Sequence, residues 1–347
     1  MMSGGEPQET NHSTESESAI AMTVGTGTLT FEAVPGWPNI PDEAGFIEAV
    51  GVAVDSHDHV HVFARADVPV LVFAADGEFL RGWGQGEFVR PHGIWIDADD
   101  SVFVVDDMGH AVRQYAADGT LIRTIGPAGE PSDTGADGFD YRTIRPGGPP
   151  FNLPTKLTVG PLGELFVTDG YGNARVHRFS AAGDLIDSWG EPGDQPGQFN
   201  VPHGIASDGE LLYVCDRENS RVQVFSPDGK LKTIWTDVAR PAAAFVDADG
   251  LVFVFELGFR TGVFPWHSAD NAKPGSRMSI FNRAGELQAR WGGDGNAASP
   301  EGFYAAHDVC RDSQGNVYTA EVKVAAASFV GDDTSLLPSL RKFMPTR

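Results

Sequence analysis

An all-β chain closed into a six-bladed β-propeller is what three features of this sequence predict. One four-stranded pattern recurs six times, Gly and Pro punctuate the chain throughout, and the strand missing from the last copy is available at the N-terminal end. The pattern is plainest from Val201, where Val-Pro-His-Gly-Ile-Ala (201–206) leads to Leu211–Asp216, then Arg221–Phe225, an Asp228-Gly229 turn, and Leu231–Trp235. Equivalent units begin near Ala49, Pro91, Pro154, Pro202, Pro241 and Ala306. Their second strands end at Ala64, Asp106, Asp169, Asp216, Glu256 and Glu321. A unit of roughly 40 to 50 residues cannot bury both faces of its sheet alone and must stack radially on its neighbours. The last unit reaches only a third strand, at 340–344. Thr28–Val34 precedes the first unit, and pairing it with the last would close the ring and remove a free edge.

Composition bounds the rest. With 42 Gly and 23 Pro the chain is poorly suited to long helices, and 41% hydrophobic residues suffice for a sizeable core. The balance of 25 basic against 48 acidic residues, −23 formally, argues against nucleic acid and against an anionic membrane surface. No apolar run approaches the roughly 18 residues of a membrane span. Residues 1–27 carry Glu6, Glu9, Glu15 and Glu17 without Lys or Arg, which reads as a disordered acidic tail and not as a targeting peptide; residues 28–347 then form a single propeller domain. Cys215 and Cys310 each sit in a strand-like apolar run, so a reducing, cytoplasmic setting is expected.

Register predicts the site. The first residue of each innermost strand should face the central axis, and the register-equivalent positions there are Val50, His92, Thr155, His203, Ala242 and His307. Three imidazoles from alternate blades would converge at about 120 degrees to one another, the arrangement of an open three-histidine zinc site. With ten His in the chain, so many in six equivalent positions would arise by chance on the order of once in a few thousand tries. A single strand histidine is more often a satisfied core residue than a ligand; it is the joint pattern that points to metal.

One residue past the second strands stand Arg65, Asp107, Gly170, Arg217, Leu257 and Val322, which places two arginines at the same mouth of the channel. They read equally as surface salt-bridge donors, Arg217 with Glu218 beside it. In the third unit the same turn carries Tyr171, a phenol that, beside a metal and two cations, could serve as a base near neutral pH. His57, His59 and His61 alternate and read as a solvated face, with a one-face metal site as the weaker alternative. Gly82-Trp83-Gly84-Gln85-Gly86 has no following helix to bind phosphate and reads as an inter-blade connection.

Val-Pro-His-Gly (201–204), Asp-Arg-Glu-Asn-Ser-Arg (216–221), Asp-Gly-Tyr-Gly-Asn-Ala-Arg (169–175), Arg-Pro-His-Gly-Ile (90–94) and Ala-His-Asp (306–308) together resemble the lyase domain of peptidylglycine α-amidating enzymes, six-bladed propellers of NHL-type repeats. The resemblance runs from about residue 45 to the C-terminus. It implies catalytic zinc on His92, His203 and His307, a catalytic Tyr171, and substrate-binding or charge-stabilising Arg65 and Arg217. It also implies a structural Ca²⁺ held by the carbonyls of Val52 and Ile94 and the carboxylate of Asp308. The implied reaction splits the N–C bond of a peptidyl-α-hydroxyglycine into an amide and glyoxylate.

The sequence departs from that family in three places. Its cysteines are absent, with Gly172 following Tyr171; Ala305-Ala306, without Pro, precedes His307; and no copper monooxygenase half accompanies the propeller. A separate hydroxylating enzyme, or a different carbinolamide or α-hydroxylated N-substituted acid as substrate, is therefore expected. Two rivals are a non-catalytic NHL propeller binding a protein partner and a Ca²⁺-dependent propeller lactonase, and the histidine triad argues against both. Insertions at about 126–150, 262–277 and 325–337 are expected to cap one face and set the substrate.

Overall fold

Six antiparallel sheets make up the chain in the computed structural model, which describes residues 22–137, 140–145, 150–260 and 273–346. The innermost strands are Glu48–Val54, Pro91–Ile96, Pro154–Val159, Pro202–Ser207, Pro241–Val246 and Ala306–Arg311. Each pairs with the second strand of its own unit, and five of the six units are four-stranded sheets. The sixth is completed from the other end of the chain, where Leu29–Val34 pairs with Leu340–Pro345 in the register Phe31↔Pro345 and Ala33↔Phe343.

The expected tail ends earlier than Gly27. Thr23–Thr26 forms a fifth strand on Leu29–Val34, because Val24 buries its side chain in the cluster built from Phe31, Met278, Trp291 and Phe343. Residues 1–21 of the expected tail lie outside the described residues. Phe31 is 1% exposed, with its ring 5.5 Å from that of Trp291. Phe31→Ala is therefore expected to destabilise the chain by about 3–5 kcal/mol, measurable by chemical denaturation.

Two features of the repeat follow from packing between blades. Trp83, Trp189 and Trp235, at the ends of fourth strands, lie against Gly119, Gly229 and Gly285 in the turns of the next unit. A Cβ on Gly285 would stand 2.4 Å from Trp235 Nε1, and its φ of +82° also favours glycine, so that turn requires it.

In five of the six blades the second strand ends in a buried acid that accepts backbone N–H groups from the loop entering the inner strand. Asp106 takes those of Val89 and Arg90, Asp169 that of Asn152, Asp216 that of Asn200, Glu256 that of Ala239 and Glu321 that of Tyr304. Third-strand arginines bind several of the same acids, as Arg113 binds Asp106 and Arg221 binds Asp216. These recurring acids fix the approach to the axis.

Candidate metal centre and active site

The pairing of inner and second strands slips by one residue in all six blades, between Ala49 and Gly51, Pro91 and Gly93, Pro154 and Lys156, Pro202 and Gly204, Pro241 and Ala243, and Ala306 and Asp308. The residue left over at each bulge is Val50, His92, Thr155, His203, Ala242 or His307. A bulge re-aims the side chain it carries, and here it brings the three histidines together. One ring nitrogen from each lies within 4.8 Å of the others, and ring centroids are 4.7–5.0 Å apart.

The three bulge positions without histidine orient the three with it. His92 Nδ1 donates to the carbonyl of Thr155 at 2.7 Å, His203 Nδ1 to that of Ala242 at 2.7 Å, and His307 Nδ1 to that of Val50 at 2.6 Å. A carbonyl only accepts, so each Nδ1 carries the proton and each neutral ring keeps its lone pair on Nε2. Burial holds all three imidazoles in the neutral form, His92 and His203 well below the ordinary range and His307 at about 3. Three neutral Nε2 donors facing one point, each with its second nitrogen fixed by a carbonyl, is a donor set that fits a zinc ion with an open position.

Tyr171 stands over this point. Its hydroxyl oxygen is 3.1 Å from His92 Nε2, 2.9 Å from His203 Nε2 and 3.3 Å from Arg217 Nη1, and the Arg217 guanidinium lies 5.4 Å from the ring centroid. The turn is buttressed from below. Tyr171 N–H donates to Leu153, Gly172 N–H to Asn152, and Thr134 Oγ1 to the Gly172 carbonyl. A Cβ at Gly172 would sit 2.1 Å from Asn152 Oδ1, which accounts for the absence of a larger residue after Tyr171.

Arg65, Arg90, Tyr171, Arg217 and His307 line one cavity of about 140 Å³, whose apolar wall includes Leu257, Val322 and Phe329. Both expected arginines are therefore in the site, and the surface-pair reading of Arg217 does not hold: its side chain is 5% exposed. Glu218 bonds Arg217 Nε at 2.8 Å and also the buried Arg240. Burial lowers the Arg217 guanidinium, but Tyr171 and Glu218 outweigh it and hold it above its ordinary value. Glu48 plays the corresponding part for Arg65. It bonds Arg65 Nη1 and, through Oε2, the N–H groups of Val324 and Ala325 at the start of helix α1 (Lys323–Ser328).

Glu48 and Arg90 were not singled out by the sequence reading, and Glu218 entered it only as a surface partner of Arg217. Arg90 had a visible signal, its place immediately before Pro-His-Gly; Glu48 stands directly opposite Arg65 in the first blade, while its other partners, Val324 and Ala325, are distant in the chain. Of the insertions, α1 contributes Ala325 and Ala326 to the cavity, and residues 132–134 support the Tyr171 turn. Residues 261–272 lie outside the described residues.

Two expectations meet a different arrangement. His61 is buried rather than solvated, because it and His59 bond the same Asp55 carboxylate; among the described residues these histidines do not gather into a metal-sized group. Asp308, expected as a calcium ligand with the carbonyls of Val52 and Ile94, already has an internal cation: Lys156 Nζ stands 2.5 Å from its Oδ2, which also accepts the Val52 N–H at 3.1 Å. These residues do not fit a divalent ion.

Comparison with known proteins agrees with the architecture and the resemblance. Residues 151–179 and 199–225 match the profile described as NHL repeat, and residues 46–133 one described as 6-bladed beta-propeller. The chain is 45% identical over 87 residues to the peptidyl-glycine alpha-amidating monooxygenase of Mus musculus, covering 23% of this chain and 9% of that protein. It is 32% identical over 215 residues to the peptidyl-alpha-hydroxyglycine alpha-amidating lyase 1 of Drosophila melanogaster, covering 57% of this chain and 37% of the relative. The chain thus spans well under half the length of these curated relatives. Among solved structures, a gluconolactonase from Xanthomonas campestris superposes with a TM-score of 0.59 at 14% identity over 93% of this chain and 95% of that one, a likeness of fold. No helix among the described residues is long and apolar enough to cross a membrane.

Proposed function

We propose that this NHL-repeat propeller, similar in sequence to the peptidyl-α-hydroxyglycine α-amidating lyases, is a zinc-dependent carbon–nitrogen lyase. Its substrate would be an N-acyl- or peptidyl-α-hydroxyglycine, split into an amide and glyoxylate. One observation carries the reading: three inward Nε2 atoms, the Tyr171 oxygen within 3.1 Å of two of them, and Arg65 and Arg217 in the same cavity. His92, His203 and His307 would hold the metal, which when bound supplies a Lewis acid for the substrate hydroxyl.

The remaining work falls to side chains of the chain itself. Arg65 and Arg217, each braced by a glutamate, receive the substrate carboxylate. Tyr171 Oη, ionised, accepts the hydroxyl proton. The O–H electron pair becomes the new C=O bond as the C–N bond breaks, and the departing amide nitrogen takes the proton from Tyr171 Oη. No water is consumed, so R–CO–NH–CH(OH)–COO⁻ becomes R–CO–NH₂ and glyoxylate with all atoms accounted for. The enclosing wall of Val322, Leu257 and Phe329 suits an apolar acyl group beside the polar end. Such a substrate requires a prior hydroxylation of the glycine α-carbon, so an oxidising enzyme or domain must supply it.

The test is turnover of N-benzoyl-α-hydroxyglycine by zinc-loaded protein. Benzamide and glyoxylate are expected in equal amounts, the latter trapped as its phenylhydrazone. A rate no greater than that of zinc-stripped protein would overturn the proposal, and lactone hydrolysis in its place would move the fold to the gluconolactonase chemistry of its structural neighbour.

A further inference from the structure

One register step beyond the histidines, the inner strands present Gly51, Gly93, Lys156, Gly204, Ala243 and Asp308. Four of the six are Gly or Ala, and the remaining two carry opposite charges on blades three and six, which face each other across a six-bladed ring. Their side chains meet: Lys156 Nζ is 2.5 Å from Asp308 Oδ2, with the side chains 11% and 3% exposed. The small residues make room for them. A Cβ on Gly93 would stand 3.2 Å from Lys156 Cδ, and one on Gly51 would stand 3.3 Å from Asp308 Oδ2.

We propose that the buried Lys156 ammonium occupies the place of a structural channel cation, so that the blades of this propeller are tied across the axis by an internal ion pair and the chain folds and works without calcium. Charge supports this, because Lys156 already balances the Asp308 carboxylate. A divalent ion added there would leave two net positive charges in a buried layer beneath a metal-binding triad. Both Asp308 oxygens also accept backbone N–H groups, Oδ1 from Val309 at 3.0 Å and Oδ2 from Val52 at 3.1 Å.

The proposal stands apart from the lyase reading, and its test reads no turnover. Zinc-loaded protein cleared of calcium on a chelating resin is dialysed against millimolar CaCl₂, then analysed for bound calcium and melted with and without the salt. Calcium well below one per chain and an unchanged Tm are expected. Stoichiometric calcium, or a Tm raised by several degrees, would overturn the proposal. Lys156→Gln strands a buried carboxylate and is expected to lower Tm by about 5–10 °C; a variant melting with the parent would also overturn it. If that variant does not fold, the calcium measurement on the unaltered chain decides alone.

Discussion

His203→Ala is expected to leave the protein without stoichiometric zinc and without lyase turnover. His203 provides one of three neutral Nε2 donors, and its Nδ1–H is the only proton of the ring engaged by the Ala242 carbonyl. Loss of an outer-shell partner alone costs roughly 10- to 100-fold in metal affinity, so loss of the ligand itself should cost at least that. The effect should appear in stability as well. A metal present at about 100 times its Kd stabilises the folded state by about 2.7 kcal/mol, and zinc should raise the Tm of the parent but not of the variant. His57→Ala is the matched control, since that imidazole is 71% exposed and remote from the triad. Plasma mass spectrometry decides: a His203→Ala chain retaining one zinc per molecule would remove the metal centre as proposed.

Much of this centre was legible because a propeller turns sequence register into spatial position. The histidines occupy one position of the repeat in alternate units, and six-fold geometry does the rest. The bulge was not legible, since nothing in Pro-His-Gly announces that the pairing slips there; yet the slip aims the side chain. The carbonyl partners were visible in the same list, as Val50, Thr155 and Ala242, but a side-chain reading passes over residues whose contribution is their backbone.

The Lys156–Asp308 pair was equally open to a register comparison carried one residue further. The calcium expectation instead followed a resemblance that fixes Val52, Ile94 and Asp308 without regard to the residue opposite. Glu48 lies opposite Arg65 in its own hairpin, but its contact with a helix some 276 residues away was beyond reach from sequence, because only the closed ring brings those two together. The recurring acids at the strand ends, legible as a motif, proved to be loop anchors whose partners are backbone N–H groups.

Tyr171→Phe should separate binding from chemistry. The substitution removes one oxygen and keeps the ring, so the edge contacts with His92 and His203 and the Arg217 stacking are retained. Zinc content is expected to match the parent, because the three Nε2 donors and their carbonyl partners are untouched. Turnover is expected to fall about 10²- to 10⁴-fold, the usual contribution of a positioned acid–base group, or roughly 3–5 kcal/mol of transition-state stabilisation. KM should change little, since Arg65 and Arg217 hold the substrate carboxylate in either chain. A variant that turns over within about threefold of the parent would take the proton transfer away from Tyr171, leaving the metal and the arginines as the whole of the chemistry. A variant that instead loses zinc would make the phenol a support of the metal centre, because its oxygen lies 3.1 Å from His92 Nε2 and 2.9 Å from His203 Nε2.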